Sequence, residues 1–427
     1  MREETDLNKK KILLLLWHPQ ASALNSGGFI RIKEFFKVTP SDYVIDVLHN
    51  YPSIFEKEEV TGDIYQYRIF GLITFIRSKI FILGRFLESM GIFLGMLRKG
   101  LNLSKLRGYD VIYVPTGEPI TALVAVILRK LFKAKVVMDS LNIEMPTETW
   151  KDYYRQLRRC GYSMVHSIAI PLYVRLSIPI LIKLFNSTDY VVTVSPYLIK
   201  KLRSLGVKTS LDFTPSGVDY VFFTLSPQQK KVYDGIFIGR HELTKGIFDL
   251  VSAWKEVVSK HTSATLLMVG SCDSATRSIL MQKIKENNLV HNVILAGEIS
   301  EEEKIKKLKQ SKIYIHLALM EPLFPVISIL EGLVCGLPLV GYDIQAYREI
   351  EDIHHNKAIS LVPTGDYKAA ALEILRYLQL EESEAVEIGR VAKEYAKEFD
   401  WKQIAAKQFG IIRDVIQSGR EECVTAC

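Results

Sequence analysis

The chain has 427 residues, a formal charge of +7 at pH 7 and a hydrophobic content of 48%. This length exceeds what one hydrophobic core usually serves, so we expect two domains. The balance of apolar and charged residues is that of a folded protein and excludes long disorder. The charge is modest for the size, and no dense Lys/Arg run with interleaved aromatic residues occurs, so we expect no nucleic-acid partner.

The cysteines and the first residues indicate the compartment. Five cysteines stand far apart without a C-x-x-C pair, which predicts reduced thiols and neither a disulfide framework nor a zinc knuckle. The apolar run at 12–17 is too short for a signal peptide and is predicted to be a buried first strand. We therefore expect a cytoplasmic protein, with peripheral binding to the cytoplasmic face of a membrane left open.

Apolar strands alternate with helix-sized segments in the first half of the chain. A turn-forming segment at 23–28 follows the first strand, and a helix is predicted to begin near Phe29. Strands that are apolar throughout indicate a parallel sheet covered on both faces. The predicted strands occupy residues 11–17, 43–50, 110–116, 135–140 and 189–195.

The second half repeats this alternation and predicts a second α/β sheet. We expect the boundary between 206 and 230, where turn residues gather. Strands are predicted at 235–240, 265–271, 292–298, 313–319 and 337–343, and helices at 246–258, 274–287, 301–310 and 327–335.

Two stretches are unusually apolar and basic. Residues 70–100 carry Arg77, Lys79, Arg85, Arg98 and Lys99 against the single acid Glu88. These charges interrupt the roughly 20 apolar residues that a bilayer span needs. Two interpretations stay open for this stretch: helices lying on a membrane surface, or core helices whose cations reach water from one edge.

Residues 164–185 form the second stretch. Pro171 and Pro179 interrupt it, and Arg175 and Lys183 add charge. Two prolines and two cations disfavour a membrane span, so we predict a buried connector leading into the strand at 189.

The segment GRHELTKG (239–246) ends the first strand of the second half. A glycine at the carboxyl end of a strand lets a ligand approach the backbone. Arg240 offers a planar fork for phosphate and Lys245 a mobile charge, so together they are candidates to hold a diphosphate. The alternative is a surface Arg and Lys flanking a helix start.

Two acids follow in the segment 320–340. Glu321 is predicted in a loop, and Glu331 lies in an otherwise apolar helix that ends at Gly336. A carboxylate in such a helix is costly to bury without a partner, and sugar hydroxyls are natural partners. A solvated helix face is the alternative, which the apolar neighbours of Glu331 disfavour.

An ordered set of motifs resembles glycosyltransferase family 4, the retaining enzymes of the GT-B fold. The resemblance implies an α/β protein with two facing Rossmann-like domains and a cleft between them. It implies an acceptor-binding domain at 1–213 and a nucleotide-sugar-binding domain at 214–404, with a helix at 405–427 packing back on the first domain. The motifs are PSGVD (215–219), GRHELTKG, LLMVG (266–270), NVILAGEIS (292–300), EGLVCGLPLV (331–340), PTGD (363–366) and FDWKQIA (399–405).

The resemblance also implies roles for single residues. Arg240 and Lys245 would bind the donor pyrophosphate, and Glu321 would lie beside the transferred sugar, these three being the catalytic candidates. Glu331 would hold the ribose hydroxyls. The remaining donor-binding candidates are Gly27, Gly28, Ile299, Phe324, Pro325 and Val326.

Two features depart from the family pattern. The family spaces its acids Glu-x7-Glu, whereas nine residues separate Glu321 from Glu331. Many members carry a His after a first-domain strand where this chain reads YVPTGEP (113–119). Candidates for the acceptor side in this region are Thr116, Glu118, Asp139 and Asn142.

The resemblance implies retaining transfer of a sugar from a UDP- or GDP-sugar to the hydroxyl of a glycan or lipid-linked acceptor, in glycan or glycoconjugate biosynthesis. It implies no cofactor and no metal, because the cation pair takes the place of a metal ion. The basic apolar stretch at 70–100 favours a membrane-proximal acceptor. The alternative is a non-catalytic nucleotide-sugar-binding subunit of another transferase, and a hydrolase or epimerase fits less well.

Overall fold

The chain forms two compact units in the computed structural model. The first unit contains the described residues of 1–143, 175–215 and 402–427, and the second those of 144–174 and 216–401. The assignment of acceptor and donor binding to separate domains stays a prediction. The structure describes residues 9–16, 27–50, 63–69, 81–104, 108–115, 119–140, 150–159, 163–321, 325–344, 347 and 353–425.

The first unit is built on a parallel sheet of seven strands in the order β3-β2-β1-β4-β5-β6-β7. The apolar runs predicted as strands form its centre, and the register pairs Leu16 with His49 and Leu14 with Tyr113. The strands are β1 (Lys10–Leu16), β2 (Tyr43–His49), β3 (Asp63–Arg68), β4 (Val111–Val114), β5 (Lys135–Ser140), β6 (Tyr190–Thr193) and β7 (Ser210–Phe213).

Helices cover the faces of this sheet. The rings of Phe36 and Tyr43 pack against Phe409 of the last helix, which returns to the first unit from the far end of the sequence. The helices with residues in this unit are α1 (Gly27–Lys37), α2 (Phe81–Ser104), α3 (Pro119–Phe132), α5 (Met164–Phe185), α6 (Pro196–Ser204) and α14 (Trp401–Thr425).

The second unit carries a parallel sheet of six strands in the order β10-β9-β8-β11-β12-β13. Its strands are β8 (Tyr233–Ile238), β9 (Leu266–Val269), β10 (Val293–Gly297), β11 (Ser311–His316), β12 (Leu339–Asp343) and β13 (Ile359–Pro363). Its helices are α4 (Trp150–Arg159), α7 (Tyr220–Leu225), α8 (Ile247–Lys260), α9 (Ser274–Glu286), α10 (Glu301–Lys309), α11 (Ile327–Val334), α12 (Tyr367–Leu378) and α13 (Glu382–Lys397), and residues 164–174 of α5 also belong to it.

The predicted connector at 164–185 leads into β6 as expected, but the prediction that it is buried is wrong. This segment is the continuous helix α5, and neither Pro171 nor Pro179 ends it. Apolar side chains of this helix face solvent, among them Val165 and Ile180, and no described residue covers them. Among the described residues, no helix is both long and apolar enough to cross a membrane.

Candidate functional site

The segment 239–246 forms a tight turn at the carboxyl end of β8. After Ile238 the chain passes into a single turn of 3-10 helix at Leu243–Lys245 and then into α8. Gly246 joins the two with a positive φ of 65°, and an added Cβ would stand 1.7 Å from the carbonyl oxygen of Leu317. Only glycine fits so close to the segment that follows β11. The close approach fixes where Lys245 leaves the backbone.

Lys245 forms an ion pair with Glu321. The backbone N–H of Leu319 donates to the carbonyl oxygen of Thr244 at 2.8 Å, which ties the turn to the segment carrying the acid. Both side chains are largely shielded from solvent. The structure thus brings together a cation and an acid that the sequence analysis selected separately.

Arg240 lies at the surface of the same turn. Its Nη1 is 2.7 Å from Oε1 of Glu242, and its side chain is 64% exposed. An exposed arginine can reorient at little cost, so its guanidinium is available to an incoming anion.

His316 is a site residue that the sequence analysis missed. It is the last residue of β11, is buried, and places Nε2 at 4.0 Å from Oε2 of Glu321. Its Nδ1 is 3.3 Å from the hydroxyl of Tyr347. Burial and the nearby charge of Lys245 lower the pKa of His316 to about 3, so the ring is neutral at physiological pH. The available signal was a histidine at the carboxyl end of an apolar strand.

Glu331 is buried on α11 and has a partner within the chain. Its Oε1 lies 2.7 Å from Nζ of Lys304, which also lies 2.7 Å from Glu301. Burial raises the pKa of Glu331, and the charge of Lys304 opposes that rise. The acid is therefore not on a solvated helix face, and its predicted contact with a ribose stays a prediction.

Other donor-side candidates lie around the ends of the same strands. Ile299 is half-buried between β10 and α10. Pro325 is buried, and Val326 caps α11 without a side-chain hydrogen bond. Phe324 lies outside the described residues.

His241 directly follows Arg240 and is a second feature that the sequence analysis missed. Its side chain is buried, and neither ring nitrogen has a hydrogen-bond partner in the described part of the chain. The ring packs against Phe237 at a centroid distance of 5.8 Å. Burial, followed by the charge of Arg277, lowers the pKa of His241 to about 4.

The candidates in the first unit have different surroundings. Gly27 and Gly28 form the first turn of α1, which starts two residues before the predicted helix start at Phe29. Asp139 is buried at the end of β5 rather than open to solvent. Thr116, Glu118 and Asn142 lie beyond what the structure describes.

A buried polar cluster encloses Asp139. Nη2 of Arg31 is 3.9 Å from Oδ2 of Asp139, and Nε2 of Gln408 donates to Oδ1 at 3.4 Å. Gln408 also donates to the hydroxyl of Tyr113 at 3.0 Å. Burial raises the pKa of Asp139 to about 6, although Arg31 opposes the rise.

Comparisons with solved structures define the class of the fold. A sucrose-phosphate synthase of Thermosynechococcus elongatus superposes with a TM-score of 0.72 at 17% identity, covering 96% of this chain and 100% of that one. HepE of Anabaena, solved with UDP and glucose, superposes with a TM-score of 0.68 at 15% identity, covering 95% of this chain and 99% of that one. The chain has two units, each built on a parallel sheet, and it superposes on these proteins over nearly its whole length. This architecture is the GT-B fold of glycosyltransferases.

The sequence comparison gives the family of the second unit. Residues 223–398 match the family model of the group 1 glycosyl transferases. An uncharacterized glycosyltransferase of Methanocaldococcus jannaschii is 29% identical over 123 residues. That alignment spans 28% of this chain and 29% of the relative. The expected GT-B fold is confirmed, and the expected resemblance to group 1 glycosyl transferases is confirmed for residues 223–398.

Proposed function

We propose that this protein is a retaining glycosyltransferase of family 4 that transfers a sugar from a UDP- or GDP-sugar to an acceptor hydroxyl. The observation that carries the proposal is the ion pair of Lys245 and Glu321 at the carboxyl ends of the neighbouring strands β8 and β11. The crevice above the carboxyl ends of parallel strands is where open α/β sheets bind ligands. The structures solved with UDP or UDP-glucose among the GT-B relatives support a nucleotide-sugar donor.

The reaction divides the work between the cations and the acid. Lys245 and the exposed Arg240 bind the diphosphate and stabilise the negative charge that grows on it as its bond to the sugar breaks. The acceptor hydroxyl attacks from the same face through an oxocarbenium-like state. Glu321, released from Lys245 when the phosphate takes its place, accepts hydrogen bonds from the hydroxyls of the transferred sugar.

His316 contributes a neutral group beside these charges. Because the pKa of His316 is lowered to about 3, its ring adds no positive charge that would compete for Glu321. Its contact with Tyr347 leaves Nε2 facing the acid, so the ring limits the positions open to the carboxylate.

We also propose that the transfer needs no metal ion, because two cations already neutralise the leaving diphosphate. The acceptor is proposed to be a glycan or a lipid-linked, membrane-proximal molecule in glycoconjugate biosynthesis. Donor turnover that is lost in EDTA and restored by Mn²⁺ or Mg²⁺ would contradict the metal-free mechanism.

Donor binding is tested by thermal unfolding in the presence of UDP, GDP and ADP, because a ligand of the folded state raises its melting temperature. We expect one nucleotide to give the largest rise and Lys245→Ala to abolish it. The matched control is Lys312→Ala, since Lys312 pairs with Asp234 at 2.8 Å across the amino ends of the same two strands. An undiminished rise in Lys245→Ala would refute the phosphate-binding role.

A non-catalytic nucleotide-sugar-binding subunit is the second candidate. The ion pair between Lys304 and Glu331 favours it, because the acid assigned to the ribose already has a partner within the chain. Slow hydrolysis of the preferred nucleotide-sugar to free nucleoside diphosphate supports catalysis. Saturable binding without hydrolysis or transfer supports the binding subunit.

A further inference from the structure

One face of the first unit exposes apolar side chains that the described residues leave uncovered. On α2, Leu94 and Leu101 are exposed, as are Leu123 and Leu131 on α3 and Ile180 on α5. Their exposed fractions run from 39% for Leu101 to 62% for Ile180. Apolar side chains gathered on one surface commonly mark an interaction site. We call this set the α2–α3–α5 face.

These three helices lie on the same side of the sheet. The chain moves from β3 to β4 and then across β5 and β6 in one direction, so right-handed crossovers place all three helices on one side. Gly100 of α2 lies against Leu128 of α3, where an added Cβ would stand 2.6 Å from a side-chain atom. Arg129 at the end of α3 donates to the carbonyl oxygen of Ser187, just beyond α5, at 2.9 Å. The exposed side chains thus belong to neighbouring helices.

The exposed charged side chains described on these three helices have one sign. Arg98, Lys130 and Lys183 are exposed on α2, α3 and α5 respectively. The sequence has no Asp or Glu at 89–109, 119–134 or 164–188. A surface that is apolar and purely cationic over these ranges complements an anionic surface with an apolar interior.

We propose that the α2–α3–α5 face binds the surface of an anionic lipid bilayer. The apolar side chains enter the boundary between headgroups and acyl chains, while the three cations contact the negative headgroups. A symmetric contact with a second copy is disfavoured, because it would bring the cations of two identical faces together. This inference stands apart from the proposed reaction and needs neither donor nor acceptor.

Vesicle flotation without nucleotide tests the proposal. We expect the protein to float with vesicles containing phosphatidylglycerol, less in high salt, and weakly with phosphatidylcholine alone. The triple variant Leu94→Glu, Leu123→Glu, Ile180→Glu should lose flotation. The matched control Leu225→Glu, Leu372→Glu, Val386→Glu changes the net charge equally at exposed apolar positions of the second unit and should float like the wild type.

A second variant tests the cations without adding acids. Arg98→Gln, Lys130→Gln, Lys183→Gln should lower the partition coefficient on phosphatidylglycerol vesicles by about 100-fold, at about 1 kcal/mol for each cation. Its melting temperature should match that of the wild type, since all three side chains are exposed.

Four results overturn the proposal. The first is that the wild type fails to float with phosphatidylglycerol vesicles at low salt. The second is that the apolar triple variant floats like the wild type, and the third is that the second-unit control loses flotation as much as the apolar triple variant does. The fourth is sedimentation showing a lipid-free wild-type dimer that the apolar triple variant converts to monomer, because the occupant would then be a second copy. None of these results bears on the donor-binding test with Lys245→Ala.

Discussion

Gly246 and Leu317 approach so closely that a Cβ on Gly246 would stand 1.7 Å from the carbonyl oxygen of Leu317. Gly246→Ala must therefore separate the turn from the segment after β11 and also adopt a positive φ. We expect a loss of stability of more than about 3 kcal/mol, measured as the midpoint of urea unfolding.

The control for this prediction is Gly297→Ala. Gly297 has a φ of 73°, and an added Cβ there would meet nothing within 4 Å. Gly297→Ala should lower the free energy of unfolding by only about 1–2 kcal/mol, the strain of a left-handed backbone conformation. Equal losses in the two variants would show that the contact with Leu317 is not a constraint.

Lys304→Met should destabilise the second unit strongly. It leaves Glu331 buried without its cation, a change that typically costs about 3–5 kcal/mol. The double variant Lys304→Met, Glu331→Leu should regain most of this loss, because no buried charge remains. Lys306→Met, at an exposed position of the same helix, should stay within about 0.5 kcal/mol of the wild type in urea unfolding. A double variant no more stable than Lys304→Met would contradict the pairing.

His241→Phe should reduce the sensitivity of folding to acid. The pKa of His241 is lowered from 6.5 to about 4, so between these values the folded state binds fewer protons than the unfolded chain. Stability therefore falls as pH drops through this window. Removing the titrating ring should lower the slope of unfolding free energy against pH by up to about 1.4 kcal/mol per pH unit.

The comparison for His241→Phe is His291→Gln, which changes an exposed histidine of the same unit and should retain the wild-type slope. His316 continues to titrate in both variants, so some slope should persist in His241→Phe. Identical slopes in the wild type and His241→Phe would mean that His241 is protonated without penalty.

Arg31→Met should destabilise the first unit by about 3–5 kcal/mol at neutral pH, because Asp139 loses its buried cation. The pKa of Asp139, already raised to about 6, should rise further in the variant. The gap in stability between wild type and variant should therefore widen as pH rises above 6, because the wild-type carboxyl ionises at a lower pH than that of the variant.

Two further variants check this assignment by urea unfolding across pH. Arg31→Met, Asp139→Asn should show no widening gap, because no carboxyl remains to titrate. Arg129→Met breaks a more exposed pair with Asp189 in the same unit and should cost only about 1 kcal/mol. A constant gap in Arg31→Met would exclude Asp139 as the group responsible.

The central strands of both sheets could be predicted because strands buried on both faces must be apolar throughout. β1 shows this pattern, with Ile12 to Leu16 fully buried. The strands that the sequence analysis missed are β3, β7 and β13, which lie at sheet edges. β3 reads DIYQYR and is half-buried or exposed along its length, so its composition resembles that of a loop.

The candidate site could be predicted only in part, for a related reason. Lys245 and Glu321 stood out because charged residues followed apolar strands. Lys304, the partner of Glu331, lies on a charged helix whose sequence indicates only a solvated surface. In α5, apolar composition predicted burial, yet hydropathy does not reveal whether the same chain supplies the residues that would cover a side chain.

The contacts of Gln408 determine the order in which the two units can complete their cores during synthesis. Tyr113 and Asp139 each accept a hydrogen bond from Gln408, which is synthesised after every residue of the second unit. The second unit can therefore close its core on the ribosome while the first still lacks α14. Until that helix emerges, the interior around Asp139 stays incomplete, and the half of the protein made first is the last to reach its final structure.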